Sequence, residues 1–210
     1  MGSRVVVVGL VLVCAAFGAG AASAADVLAP ETAIEPQATI EPQPTFAPQP
    51  YITLFQEVRV GAYAHNTIHD EGAPVDVSVE TLSSPLPLAN VSNPWISWFF
   101  DPRINIGAMI NTGGKTSYAF TGLTWRIPVW GPVFFEGEFG GSVNNGPEHP
   151  ESNRIFMGCV PNFRESGGFG VQLSKNVDFI VSVEHTSHAT FCTHIDPGIT
   201  DFGFRVGYKF

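Results

Sequence analysis

His185 and Ser187 stand two residues apart in a stretch whose apolar residues, Val177, Phe179, Val181 and Val183, recur at every second position. In an extended chain such residues leave on one face, so an imidazole and a hydroxyl share the greasy side of a strand. That pair can begin acyl transfer: the ring takes the proton as the oxygen attacks a carbonyl. A third group must then hold the ring in the right tautomer. Alone, His-x-Ser is a weak motif, and its meaning depends on what the surrounding strands build.

After Tyr51 no stretch of 18 apolar residues and no helical periodicity appear, whereas period-two alternation recurs in eight segments. Val58, Val60, Ala62 and Ala64 oppose Glu57, Arg59, Gly61 and Tyr63; Val75, Val77 and Val79 oppose Asp76, Ser78 and Glu80. Ile104, Ile106, Ala108 and Ile110 oppose Asn105, Gly107 and Asn111; Leu123, Trp125 and Ile127 oppose Gly122, Thr124 and Arg126. Val133, Phe135 and Phe139 face Glu136 and Glu138, and Phe163, Phe169, Val171 and Leu173 face Arg164, Ser166 and Gln172. The seventh segment sets its four apolar residues against Asp178, Ser182 and Glu184. The eighth sets Phe202, Phe204, Val206, Tyr208 and Phe210 against Asp201, Arg205 and Lys209. The domain over residues 51–210 therefore reads as all-β.

Two architectures take such a pattern. A soluble sandwich turns the apolar face inward; a membrane barrel turns it to lipid and fills its lumen with the charged face. The even strand number, strand lengths near the ~9 to 11 residues that cross a bilayer, and a terminal Phe210 on the last strand favour an eight-stranded antiparallel transmembrane barrel. A terminal aromatic of this kind resembles the signal read by the barrel-insertion machinery of outer membranes. With the amino end in the periplasm, odd-numbered strands run outward, and Trp95, Trp98, Trp125 and Trp130 all fall at the periplasmic end, as an interfacial belt would.

The amino end agrees with export. Arg4, an apolar run from Val5 to Phe17 and the small residues Ala22-Ser23-Ala24 predict a signal peptide over residues 1–24. The apolar run is shorter than the ~20 residues a spanning helix needs, and Val13 precedes Cys14 where a lipoprotein signal would place a small residue. Residues 25–50, with Glu-Pro-Gln and Ala-Pro-Gln-Pro segments, four acids and no base, predict a disordered Pro-rich linker. The chain carries a formal charge of −9, and residues 51–210 keep nine basic and fifteen acidic residues. Nucleic acid is excluded as a partner on charge.

The segment His185-Thr186-Ser187-His188-Ala189, with Pro197-Gly198 and the closing Asp201-Phe202-Gly203-Phe204-Arg205-Val206-Gly207-Tyr208-Lys209-Phe210, resembles the lipid A 3-O-deacylase (PagL) family and related acyloxyacyl-hydrolase-like barrels of the bacterial outer membrane. The likeness extends more loosely through Val58 to His65, Asn111 to Trp125 and Phe163 to Ser166. It implies an eight-stranded barrel that hydrolyses an ester-linked acyl chain from the lipid A of lipopolysaccharide, with Ser187 as nucleophile, His185 as base and no cofactor. Two positions depart from the family's pattern. His188 stands where its His-x-Ser-Asn-Ala motif has Asn, which leaves the backbone N–H groups near Ala189 and Thr190 to serve an oxyanion. Thr200 stands where the family draws its acid.

Asp201 is adjacent to Thr200 but has lumenal parity, so only a bulge would bring it outside. Glu165 fits better. Pairing the sixth and seventh strands through a turn at residues 174–176 puts Leu173 opposite Val177 and Glu165 opposite His185, on the lipid-facing side. The alternative is a bulge near Pro161 that turns Glu165 into the lumen with Glu184 and Arg164. The same register brings Cys159 close to Cys192, predicting a disulfide that fixes the loop after Ser187; two free thiols are the other state.

His65, His69, Asp70 and Glu71 gather in the first outer loop, with His149 and His194 in others. Loop residues lack fixed metal geometry, and solvated polarity is the expectation; no metal site is assigned. No phosphate cradle, heme or zinc pattern is present. A small pore is disfavoured because side chains fill an eight-stranded lumen, while a structural or adhesive barrel, or one that lost activity with His188 and Thr200, is the non-enzymatic rival. Monomer and homodimer both remain open.

Overall fold

The structure, a computed structural model, describes residues 52–69, 72, 75–89, 91–93, 96–151, 153–195 and 197–210. The expected signal peptide at 1–24, the expected linker at 25–50, and Asp70, Glu71 and Trp95 lie outside them. Eight strands close into one antiparallel barrel in sequence order: β1 Glu57–Ala64, β2 Asp76–Leu82, β3 Arg103–Asn111, β4 Tyr118–Trp130, β5 Val133–Asn144, β6 Pro161–Gln172, β7 Val177–Ser187 and β8 Ile199–Lys209. Closure pairs β1 with β8, Glu57 opposite Lys209 and Ala64 opposite Phe202, so no strand edge is left unpaired.

Alternation decides the two surfaces. Val60, Val79, Ile106, Ile110, Phe139, Phe169, Phe202 and Phe204 are exposed on the outer wall, while Glu57, Arg59, Glu136, Glu184 and Arg205 are buried inside. A wall apolar outside and charged within belongs in lipid, since hydrocarbon solvates the first and the lumen pairs the second. Arg59 grips both Glu136 carboxylate oxygens at 2.7 and 2.8 Å and Glu57 at 2.6 Å. Arg164 joins Glu184 at 2.6 Å and Glu138 at 2.8 Å, and Arg205 joins Glu138 at 2.6 Å. Above this network Tyr63, Met109, Tyr118 and Phe120 form an apolar plug, and Arg164 lies 3.7 Å from the Phe120 ring centroid. Alternation alone marked the lumen as polar; the plug was not foreseen, because apolar residues on the inward phase carry no contrast in a hydropathy pattern.

At the end bearing Ile52 and Phe210, β4–β5 and β6–β7 join through short turns, but β2 and β3 are separated by residues 83–102, which include a single 3-10 turn, Ser97–Phe100. Trp125 Nε1 donates to Phe99 O at 3.0 Å, and the Phe99 and Trp125 rings stack. Trp98, Trp125 and Trp130 thus share one end. β4 is longer than the alternation of Gly122 to Ile127 suggested, because its first residues pair with β3 and β5 even though Tyr118 and Phe120 break the polar phase inside.

β6 runs from Pro161 to Gln172 with unbroken pairing to β7: Phe163 opposite Ser187, Glu165 opposite His185, Phe169 opposite Val181, Val171 opposite Phe179. The bulge near Pro161 is therefore ruled out. Glu165 is exposed on the outer wall while Arg164 and Glu184 are buried.

Candidate active site

β7 carries His185 and Ser187 on its outer face at the end remote from Ile52 and Phe210, and its alternate residues Glu184 and Thr186 point into the lumen. β8 comes alongside with Thr200 opposite His185. There the imidazole Nδ1 meets Thr200 Oγ1 at 2.8 Å. With Nδ1 donating to that oxygen, Nε2 is the nitrogen left to accept a proton, which is the tautomer a serine esterase requires. Thr200 is itself held from the loop after β1: its carbonyl accepts from Thr67 N at 2.7 Å and Thr67 Oγ1 at 3.1 Å.

The proposed acids separate. Glu165 sits directly across the ladder from His185, on the same face, without a hydrogen bond to it. Asp201 is fully buried and accepts from Asn66 N at 2.8 Å and Tyr118 Oη at 3.1 Å, so it stays in the lumen. Thr200, marked in the sequence only as a departure, is the group that touches the ring. Register alone could not foresee this, since Glu165 and Thr200 flank His185 on opposite sides and only the rotamer chooses between them.

Gly198 closes over the pair. It has φ +58, and a Cβ on it would lie 2.8 Å from His185 Cε1 and 3.0 Å from Ser187 Cβ. Only a residue without a side chain lets the backbone approach both groups in that conformation. The dipeptide Pro197-Gly198 marks a turn in the sequence but not this contact.

Beyond Ser187 the chain turns sharply. Ala189 and Thr190 take φ of 49 and 65, left-handed values costing non-glycine residues of order 1–3 kcal/mol each, and Phe191 N bonds back to His188 O at 3.0 Å. The turn thus begins directly after Ser187 and returns the chain over His188 within three residues. His188 has the lumenal parity; it is buried against Gly158, with Nε2 3.3 Å from Thr193 Oγ1. A disulfide between Cys159 and Cys192, Cα atoms 6.1 Å apart, ties this loop to the approach of β6.

Next to Ser187 lies a mostly apolar cleft of about 440 Å³ walled by Phe139, Phe163 and Phe191 and floored by Gly140 and Gly141. Phe163 stacks on Phe139 at 6.2 Å and approaches Phe191 at 5.7 Å. A shallow groove lined with aromatic rings suits an alkyl chain. Alternation had placed Phe139 and Phe163 on the outer face, but not their meeting beside Ser187. Of the loop histidines, His69, His149 and His194 are exposed, whereas His65, expected in a solvated loop, is buried with Nδ1 2.8 Å from Asp76 Oδ2.

The family model of lipid A 3-O-deacylase (PagL) matches residues 89–209, more than half of the chain, a span that includes Glu165, His185, Ser187 and Thr200. No curated protein matches the chain significantly. Among solved structures, the outer membrane enzyme PagL is similar with TM-score 0.57 and 13% identity, over 73% of this chain and 99% of that one. Neisserial surface protein A (NspA) is similar with TM-score 0.48 and 12% identity, over 73% of this chain and 96% of that one.

Proposed function

We propose a function from one premise: this chain belongs to the lipid A 3-O-deacylase (PagL) family and is a β-barrel of the outer membrane. On that premise it is a serine esterase that removes an ester-linked acyl chain from lipid A in the outer leaflet. With the termini in the periplasm, the end carrying Ser187 faces outward, and a lipid substrate reaches the site sideways without leaving the bilayer. Ser187 attacks the ester carbonyl and His185 Nε2 takes its proton. The tetrahedral oxyanion is met by the backbone N–H groups of Ala189 and Thr190. Collapse breaks the ester C–O bond, His185 Nε2 gives its proton to the departing lipid A hydroxyl, and an acyl-enzyme remains; His185 then takes a proton from water as its oxygen attacks the acyl carbonyl, and returns that proton to Ser187 as the fatty acid departs.

Thr200 sets the tautomer of His185. Glu165, across the ladder at a Cβ separation of about 4.5–5.5 Å, supplies a negative charge that stabilises the imidazolium formed in both halves of the cycle. The aromatic cleft of Phe139, Phe163 and Phe191 takes the acyl chain. The observation that carries this assignment is the His185–Thr200 bond on the lipid-facing wall, which fixes a base two residues from a hydroxyl. The rival, a barrel without activity, rests on Thr200 and His188 occupying the positions where the family has Glu and Asn. Mass spectrometry of lipid A from cells expressing the wild type or Ser187→Ala separates them: loss of one hydroxyacyl mass that depends on Ser187 supports the esterase.

A further inference from the structure

Every lumenal carboxylate in the middle of the barrel and near its terminal end has a cation. Glu57, Glu80, Glu136, Glu138 and Glu184 pair with Arg59, Arg103, Arg164 or Arg205, and Asp178 pairs with Arg126 and Lys209. The outward end breaks this rule. Asp76 of β2 and Asp201 of β8 are both completely buried there, and among the described residues no lysine or arginine pairs with either. What lies between them is His65, at the end of β1, with Nδ1 2.8 Å from Asp76 Oδ2 and 3.8 Å from Asp201 Oδ1.

Two carboxylates buried side by side in a low-dielectric wall repel unless a positive charge or a proton compensates one of them. One imidazole supplies at most a single unit. The three ligand atoms lie within 4.8 Å of one another, all on buried residues. Tetrahedral zinc with ligands at ~2.0–2.2 Å sets neighbouring ligand atoms about 3.4 Å apart, so the 2.8 Å contact opens by roughly half an ångström and the 3.8 Å one closes by about as much. The site is rigidly built. Asn111 Nδ2 donates to Asp76 Oδ1 at 2.7 Å, and Tyr118 Oη and Asn66 N donate to Asp201. These contacts hold Asp76 Oδ2 toward His65 and are the outer-shell hydrogen bonds that orient metal-binding carboxylates. Asn66 contributes a second sign: its side-chain Nδ2 is buried, has no hydrogen-bond partner, and belongs to the residue whose backbone already touches Asp201. A hydroxide on the ion, the form zinc-bound water takes near neutral pH, would accept from it.

We infer that His65, Asp76 and Asp201 form a binding site for one divalent transition-metal ion, zinc by preference, inside the outward mouth of the barrel. One nitrogen and two carboxylate oxygens, with few further oxygens at hand, suit zinc better than calcium or magnesium. On binding, the ion replaces the proton shared by His65 Nδ1 and Asp76 Oδ2, and that proton goes to solvent. The inference is independent of the esterase assignment, because metal content is measured without substrate.

The test is calorimetric zinc titration of the barrel refolded in detergent, with bound metal counted by elemental analysis. The wild type takes up one zinc per chain. Asp76→Asn and Asp201→Asn weaken binding by about a hundredfold, while a variant with His69, His149 and His194 all changed to Gln keeps the site. Absence of stoichiometric zinc in the wild type, full binding by Asp76→Asn, or loss with the surface-histidine variant overturns it. Should the Asp variants fail to fold, X-ray absorption of the zinc-loaded wild type decides: one imidazole with oxygen ligands is expected, and two or more imidazoles contradict the assignment.

Discussion

Thr200 Oγ1 lies 2.8 Å from His185 Nδ1, where esterase triads place a carboxylate. A neutral partner fixes the tautomer but stabilises the imidazolium less, by an amount near the ~1 kcal/mol net of an ordinary hydrogen bond. Thr200→Val is therefore expected to lower kcat by only about five- to tenfold, against losses of several orders of magnitude for Ser187→Ala or His185→Asn, all measured as acyl release from purified lipid A. Glu165→Ala should cost more of kcat than Asp201→Ala, because Glu165 shares the wall with His185 while Asp201 faces the lumen; equal losses would remove Glu165 from the mechanism. Gly198→Ala is the sharpest test of packing. Its added Cβ meets His185 Cε1 and Ser187 Cβ at 2.8 and 3.0 Å, and displacement on that scale is expected to lower kcat about a hundredfold with the barrel still folded. At this scale parity put His185 and Ser187 on one outward face of a strand, which is where the structure has them. The orienting threonine escaped because a side-chain rotamer, not spacing, selects it.

The β6–β7 hairpin was the most legible element. Its turn and register follow from alternation, and the same register brings Cys159 within reach of Cys192. The loop after Ser187 was not legible, since consecutive left-handed backbone at Ala189 and Thr190 has no glycine to announce it. The disulfide closes 33 residues of chain and restrains that loop, worth about 3–4 kcal/mol in the loop-closure picture. With Cys159 and Cys192 both changed to Ser, the barrel is expected to keep its heat-modifiable gel mobility. Proteolysis between β7 and β8 should quicken and kcat/KM fall about tenfold. Unchanged activity and proteolysis would show that the bond does not order the site.

For the whole molecule, period-two alternation specified eight strands with one apolar and one charged face, and the strand lengths and terminal Phe210 then favoured the closed membrane barrel that the structure shows over a soluble sandwich. The lumen's partners were not readable, as arginines and glutamates from all eight strands converge only once the cylinder closes. Arg205 lies between Glu80, Glu136, Glu138 and Glu184, so Arg205→Leu leaves buried carboxylates facing one another. It is expected to cost about 3–5 kcal/mol, seen as a lower urea midpoint for the refolded barrel. In the proposed function that cylinder holds His185 and Ser187 at the hydrocarbon rim, where a lipid ester would meet them. The deciding measurement is lipid A mass spectrometry on cells expressing this chain: a species lighter by one hydroxyacyl group with wild type and absent with Ser187→Ala is predicted, and identical lipid A in both, with the barrel assembled in the outer membrane, would contradict it.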